Sequence, residues 1–228
     1  MQRITKGTEP AFLAKYRLQP DADWDQDVRR DEKQEARELL CTEQGSLCCF
    51  CEGRIEPQPD KMKVAHFVPQ TVDKSLMFSW NNLLGACKGG EKFGEKTNQK
   101  DCHCDTKQGE DKLDSRLNPV QLAPNTICFN GRGEIKAVGN PALPPERDLQ
   151  KQQLQTDLDV KLNLNLKQLV GNRIAAKDAM IVAMGRQDWT LSDVQRKIRE
   201  LTAPAATKRV NYQSYLLWWL ERKRKSLS

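Results

Sequence analysis

The chain has 228 residues, of which 38% are hydrophobic and 30% are charged, and its formal net charge at neutral pH is +6. This composition fits one compact unit or two small domains, and it excludes a membrane-spanning protein because no run of 18 apolar residues occurs. The first residues contain no continuous apolar stretch followed by a cleavage site, so we expect no secretory signal and a cytoplasmic location.

Two predicted elements precede the cysteine-rich part of the chain. Residues 1–30 are polar with a few aromatic residues, which favours an N-terminal arm with some anchoring side chains. Residues 31–44 are strong helix formers and predict a helix that ends near Gly45. Short β-prone pieces follow at 47–49 and 62–67.

The segment from Lys88 to Lys100 is rich in lysine and glycine and predicts a long loop. A loop of this length in a compact domain is usually functional or mobile.

The C-terminal region has a helical pattern. Its apolar spacing predicts helices over 146–158, 166–184, 191–201 and 211–224. Asn165 is the expected N-cap of the second helix, and Thr190 with Asp193 resembles a capping box at the start of the third. Pro204 is expected to end that third helix.

Seven of the eight cysteines lie between Cys41 and Cys104. Without a secretory signal, such a cluster indicates metal ligation before it indicates disulfides. Cys48-x-x-Cys51 has the spacing of a zinc knuckle, which needs two further ligands. The candidates for those ligands are Cys87, Cys102, His103 and Cys104. The alternative is that these residues are reduced thiols or small core side chains.

His66 lies in a short β-prone piece that Pro69 closes, between the two halves of the candidate zinc site. A single histidine in a strand is most often structural. Its position beside the cysteines nevertheless makes His66 a candidate for chemistry.

The C-terminal end is both basic and aromatic. Residues 207–228 contain six basic residues and one acidic residue, a net charge of +5. Such an end can bind phosphate by releasing counterions, or it can act as a solubilising tail. Tyr212, Tyr215 and Trp219 share one helical face, which indicates either core packing or a surface for docking a partner.

The order of these motifs resembles that of the HNH (ββα-metal) endonucleases. The matching motifs are Cys48-x-x-Cys51, Ala65-His66-Phe67-Val68-Pro69, Asn82-Leu83-Leu84-Gly85-Ala86-Cys87 and His103-Cys104-Asp105-Thr106-Lys107. The chain looks more specifically like the nuclease subunit of retron-associated and Septu-type anti-phage systems, which accompanies an ATPase. The resemblance is specific over about 40–110 and weak beyond about 145.

The resemblance implies an α+β, mostly helical protein with a small ββα-metal (His-Me finger) core and a zinc knuckle. It divides the chain into an N-terminal arm over 1–30, a nuclease domain over 31–125 and a C-terminal helical region over 126–228.

The resemblance also implies roles for single residues. His66 would be the general base, Asn82 would orient its loop, and His103 and Asp105 would complete the catalytic site with Mg²⁺ or Mn²⁺. The implied ligands of a structural zinc are Cys48, Cys51, Cys87 and Cys104, with Cys102 as an alternative to the last. The expected contacts to nucleic acid are Lys107, Arg222, Lys223 and Arg224. Asn82 could instead cap a turn, and Lys107 could be an ordinary exposed lysine.

Two features depart from the family pattern. Ala65 occupies the position of an acidic residue that often precedes the histidine and binds the catalytic metal. Cys87 is followed by Lys-Gly-Gly rather than by a second Cys-x-x-Cys.

The expected function is therefore metal-dependent cleavage of phosphodiester bonds in nucleic acid, with DNA as the first candidate. The implied partners are an ATPase subunit and a retron reverse transcriptase with its RNA and DNA. The rival interpretations are a non-catalytic zinc-binding adaptor and an assembly subunit or antitoxin whose nuclease motif has decayed.

Overall fold

A computed structural model describes residues 1–91, 97–185, 188–203 and 209–228. The predicted helix stop at Pro204, the lysine at 208 and the middle of the predicted 88–100 loop lie outside these residues. The helices are α1 (Phe12–Arg17), α2 (Arg30–Glu43), α3 (Cys104–Gln108), α4 (Leu149–Thr156), α5 (Lys167–Met184), α6 (Leu191–Thr202) and α7 (Gln213–Leu227). The strands are β1 (Met62–His66), β2 (Leu83–Cys87), β3 (Ile127–Phe129) and β4 (Ile135–Ala137). The predicted α+β class is confirmed.

The first 30 residues form part of the core rather than an exposed arm. Apolar side chains recur along this segment and are buried: Met1, Ile4, Phe12, Leu13, Tyr16, Trp24 and Val28. The Tyr16 hydroxyl donates a 2.6 Å hydrogen bond to Glu32 of α2, which fixes the segment against that helix. The N-terminal segment therefore helps to position α2.

Strands β1 and β2 are antiparallel, with His66 opposite Leu83 and Met62 opposite Cys87. Helix α3 follows β2 and packs against it, so these elements run in the order β, β, α. Gln44, which follows α2, holds the centre of β2, because its side-chain amide exchanges two 2.7 Å hydrogen bonds with the Gly85 backbone.

Where the structure describes it, the C-terminal region contains the four α-helices α4 to α7 and a β hairpin that was not predicted, in which β3 pairs with β4. The predicted N-cap at Asn165 is wrong. Its side chain instead exchanges hydrogen bonds of 2.8 and 2.9 Å with the Ile135 backbone of β4, so it joins the hairpin to α5. The capping box of Thr190 and Asp193 is confirmed.

Helix α7 packs its apolar face into the core, where Tyr215, Leu216 and Leu220 are almost fully buried. This placement favours the packing interpretation of the aromatic residues, although Trp218 and Trp219 are only partly buried. Among the helices of the described residues, none has the length and apolar character needed to cross a membrane.

Candidate metal centre and adjoining cleft

Four cysteine sulfurs converge between the knuckle, β2 and α3. The Sγ atoms of Cys48, Cys51, Cys87 and Cys104 all lie within 4.8 Å of one another. The Cys51 and Cys87 sulfurs are 3.8 Å apart, which matches the separation of about 3.8 Å expected for thiolates around a tetrahedral zinc. These four cysteines could bind a metal such as zinc, and they are the four that the sequence singled out.

The chemistry of the cluster fits a cation. The contact with Cys104 lowers the pKa of the Cys51 thiol to about 7. The contacts with neighbouring thiols, Cys104 first, also lower the pKa of Cys48 against the opposing effect of burial. Burial and the contacts with Cys48 and Cys51 raise the pKa of Cys104. For Cys87, the contact with Cys104 lowers the pKa, but the contacts with Cys48 and Cys51 outweigh it and the pKa is raised. A thiol must lose its proton to bind zinc, so the two knuckle thiols, Cys48 and Cys51, are the ones whose surroundings favour the form that binds metal.

The local backbone explains how the sulfurs meet. The Cys49 amide donates to the carbonyl of Gly85 at 2.9 Å, which ties the knuckle to β2. Gly89 has a φ of 59°, and its carbonyl accepts a 3.0 Å hydrogen bond from the His103 amide, which brings the start of α3 back to the end of β2.

His103 and Cys102 lie beside the cluster rather than within it. The Nδ1 atom of His103 is 3.1 Å from the Cys104 sulfur and 3.9 Å from the Cys87 sulfur. The Cys102 thiol donates to the carbonyl of Asn98 at 3.4 Å and does not belong to the group of four. His103 therefore contacts two sulfurs of the cluster, and it does not line the cleft that holds His66.

His66 is at the end of β1, 9% exposed, on the wall of a cleft of about 690 Å³. Its Nε2 atom is 3.0 Å from the carbonyl oxygen of Met77, and its Nδ1 atom is 3.5 Å from the side-chain nitrogen of Gln70. A carbonyl oxygen only accepts hydrogen bonds, so this contact places the proton on Nε2 and leaves Nδ1 as an acceptor.

The surroundings of His66 keep its ring neutral and oriented. Burial lowers the pKa of His66, while the Met77 carbonyl and the charge of Asp25 oppose that effect. The Trp24 ring packs edge-on against the imidazole, with centroids 5.4 Å apart. A neutral histidine whose Nδ1 carries no proton can accept one.

Asn82 supports the loop that follows His66. Its side-chain oxygen accepts from the Val68 amide at 2.8 Å, and its nitrogen donates to the carbonyls of Val68 and Leu76 at 3.0 and 3.1 Å. Asn82 therefore joins the start and the end of the loop between His66 and Met77.

The cleft is rich in cationic side chains. Five of its lining residues are basic: Lys33, Arg37, Lys63, Lys74 and Lys88. Its acidic lining residues are Asp23, Asp25, Asp105 and Glu110. Lys63 and Lys88 both form ion pairs with Glu91, at 3.2 and 3.3 Å.

Asp105 of α3 lines the cleft, and its carboxylate lies 4.0 Å from the Lys63 ammonium group. Burial raises the pKa of Asp105 to about 6, against the charge of Lys63, which lowers it. Ala65 is 1% exposed and is not among the lining residues of the cleft. Among the residues of the HNH-like motifs, Asp105 is thus the acidic one that lines the cleft.

The predicted contacts to nucleic acid lie away from this cleft. The Lys107 ammonium group donates to the carbonyl of Gln99 at 3.2 Å, and Arg224 pairs with Glu221 at 2.8 Å. Arg222 lies over the Trp218 ring of the same helix. None of these residues, nor Lys223, is among the lining residues of the cleft.

Sequence reasoning missed the side of the cleft that comes from the first 37 residues. Trp24, Asp25, Lys33 and Arg37 face the same space as His66. The amphipathic pattern of α2 indicated that one side of this helix would pack against the protein. It did not show that α2 would lie across the cleft from His66.

The fold and these residues define an α+β protein with a four-cysteine site that could bind metal, next to a cleft that is lined by basic and acidic residues and contains a neutral histidine. No family model matches the chain.

The chain is similar to the Septu protein PtuB of Bacillus thuringiensis, with 29% identity over 93 residues. The match covers 37% of this chain and 31% of PtuB, so it spans about a third of the length of that curated relative. This likeness supports a relationship to Septu proteins.

Proposed function

We propose that the protein is a metal-dependent endonuclease of the HNH type that hydrolyses phosphodiester bonds in nucleic acid, with DNA as the first candidate. The observation that carries the proposal is the protonation and orientation of the His66 ring. Met77 holds its Nε2–H, which leaves Nδ1 without a proton, and His66 lines a cleft with five basic and four acidic residues. A general base and cations for phosphate oxygens are what hydrolysis of a diester requires.

In this proposal, Nδ1 of His66 takes a proton from a water molecule that attacks the phosphorus. The new bond joins the water oxygen to phosphorus, the bond from phosphorus to the 3′ oxygen breaks, and the departing oxygen takes a proton from solvent. Lys63 and Lys88 hold the phosphate oxygens after they exchange their ion pairs with Glu91 for the substrate. Asn82 keeps the loop in place so that Met77 continues to orient the ring.

Asp105 is the proposed protein ligand for a catalytic Mg²⁺ or Mn²⁺. Among the described residues, the cysteine cluster is the one place where three or more such ligands converge, so the cleft offers no complete cage. Mg²⁺ is commonly held by one or two carboxylates together with substrate phosphates, and Asp105 fits that manner of binding. The cation would stabilise charge on the phosphate and on the departing oxygen.

His103 has a different proposed role from the one its motif implies. Because its Nδ1 lies 3.1 Å from the Cys104 sulfur, it supports the structural metal site by donating a hydrogen bond to a thiolate.

The biological setting that we propose is anti-phage defence, in a complex with an ATPase subunit, as the Septu likeness and the motif resemblance together suggest. A retron reverse transcriptase with its RNA and DNA is a further proposed partner. The partly buried Trp218 and Trp219 of α7 provide an aromatic surface for such contacts.

The test is cleavage of supercoiled DNA, single-stranded DNA and RNA by the purified chain. We expect cleavage when Mg²⁺ or Mn²⁺ is added, no cleavage when neither is added, and recovery when Mg²⁺ is supplied afterwards. Binding without cleavage on all three polymers would overturn the nuclease proposal and favour the zinc-binding adaptor.

A further inference from the structure

Helix α2 presents a basic face beside the cleft. Arg30, Lys33 and Arg37 are separated by three and four residues, so they follow one another along the same side of the helix. Together with Val28 and Pro59 they line a groove of about 540 Å³, which we call the α2 groove.

The α2 groove is continuous with the cleft that contains His66. Lys33, Arg37 and Pro59 line both spaces. A polymer that places one phosphate near His66 can therefore extend along α2 without leaving the surface.

Arg37 is a partly buried cation without a counter-charge in the described part of the chain. Its Nε atom is buried and has no hydrogen-bond partner there, and no ion pair joins its guanidinium to a carboxylate of the described residues. Burial lowers the pKa of Arg37. A buried donor that lacks a partner is costly, so this arrangement suits a side chain that an anionic ligand completes.

Three of the other four cations of the cleft have partners, and the fourth, Lys74, differs from Arg37 in being exposed. Lys63 and Lys88 are neutralised by Glu91, and the Lys33 ammonium group donates to the backbone carbonyl of Asp25 at 2.9 Å. Arg30 is exposed at the outer end of the groove and does not line the cleft.

We propose that the α2 groove binds the sugar-phosphate backbone of the nucleic acid that enters the cleft, with Arg37 and Arg30 each contacting a phosphate. The proposal rests on the proposed function, since it names the path by which that substrate reaches His66. Seven residues of helix span about 10 Å. At 3.4 Å per nucleotide in one strand, this length covers about three nucleotides. Guanidinium groups suit this role because they bind phosphate through two parallel hydrogen bonds.

The test compares the double variant Arg30→Gln/Arg37→Gln with the control Arg132→Gln/Arg199→Gln, which removes the same charge from exposed arginines outside both spaces. Binding to labelled duplex DNA and to duplex RNA is measured at several salt concentrations with no Mg²⁺ or Mn²⁺ added, so that cleavage does not intervene. For the α2 variant we expect weaker binding and a salt slope that is smaller by about 1 for each arginine. The control is expected to match the parent protein apart from a small effect of net charge.

A second readout separates this proposal from the proposed function. Hydrolysis of the small diester bis(p-nitrophenyl) phosphate should be unchanged in the single variant Arg30→Gln and lost in His66→Ala, because Arg30 does not line the cleft. If the protein cleaves nothing, the salt slope still tests the groove. If it cleaves, and the slope of the α2 variant equals that of the parent, the groove proposal is wrong while the nuclease proposal stands.

Two further variants test whether a change in binding comes from misfolding. Arg30→Gln changes an exposed side chain and should keep the melting temperature while lowering the salt slope by about 1. Arg37→Lys keeps the positive charge and should retain most of the slope. Equal losses in the α2 and control variants would overturn the proposal, because binding would then follow net charge alone.

Discussion

The side-chain amide of Asn82 pairs with both backbone groups of Val68, accepting from its N–H at 2.8 Å and donating to its carbonyl at 3.0 Å. A third bond reaches the Leu76 carbonyl, next to the residue that orients His66. We expect Asn82→Ala to lower the free energy of unfolding by about 3 kcal/mol, at about 1 kcal/mol for each hydrogen bond. Chemical denaturation measures this loss.

The neighbouring Asn81 provides the control, because it is exposed and its side chain has no hydrogen bond among the described residues. Asn81→Ala should leave stability within about 0.5 kcal/mol of the parent protein. Equal effects of the two substitutions would contradict the role assigned to Asn82.

The four-cysteine site leads to a prediction about metal content. The purified protein should contain one zinc per chain, and Cys51→Ser should lose it together with much of its folded structure, because a structural zinc contributes directly to folding. Cys102→Ser should keep the metal, since Cys102 lies outside the group of four. Elemental analysis measures the zinc content of both variants. Equal zinc loss from both would show that the zinc ligands are not the four cysteines named here.

Gly89 should not tolerate a side chain. Its φ is 59°, and a Cβ there would lie 2.2 Å from the carbonyl oxygen of His103. We expect Gly89→Ala to destabilise the protein by more than about 1 kcal/mol and to weaken metal retention, since it separates β2 from α3.

The matched glycine is Gly171, which is exposed within α5 and has open space around it. Gly171→Ala should stabilise the protein by about 0.5–1 kcal/mol, because alanine loses less backbone freedom in a helix. Thermal melting of the two variants should therefore show shifts of opposite sign. Shifts of the same sign would contradict this account of the turn at Gly89.

The buried imidazole predicts a pH dependence of stability. Burial lowers the pKa of His66 in the folded protein below its ordinary value of 6.5, so the unfolded chain binds a proton more readily. The stability that the neutral ring contributes is complete above that value and is lost as the pH falls through it. Denaturation from about pH 8 to about pH 5 should show a larger loss for the parent protein than for His66→Gln. Equal losses in the two proteins would show that His66 is not the titrating group.

The elements that could be predicted from sequence are those with a regular spacing of apolar residues or a short capping motif. Helix α5 was expected over 166–184 and extends over Lys167–Met184, and the capping box at Thr190 was visible in four consecutive residues. The β3–β4 hairpin was missed because Ile127–Phe129 is too short to show alternation. Its Asn130-Gly131-x-Gly133 turn was a signal that could have revealed it.

The site was only partly predictable because its two sides come from different parts of the chain. The cysteines, His66 and Asn82 were found through motif spacing, which records local geometry. Arg37 and Trp24 lie far from His66 in sequence, and only the packing of the N-terminal segment against β1 brings them to the cleft. The role of His103 was also beyond sequence, since the direction of its ring depends on the turn at Gly89.

The central claim is that His66 is the general base of a nuclease, and the most direct measurement is the single-turnover cleavage rate of His66→Ala alongside its zinc content and melting temperature. We predict a loss of about 10²- to 10⁴-fold in rate with the zinc retained and the fold intact. Cleavage by a folded, zinc-containing His66→Ala protein at the rate of the parent would contradict the account.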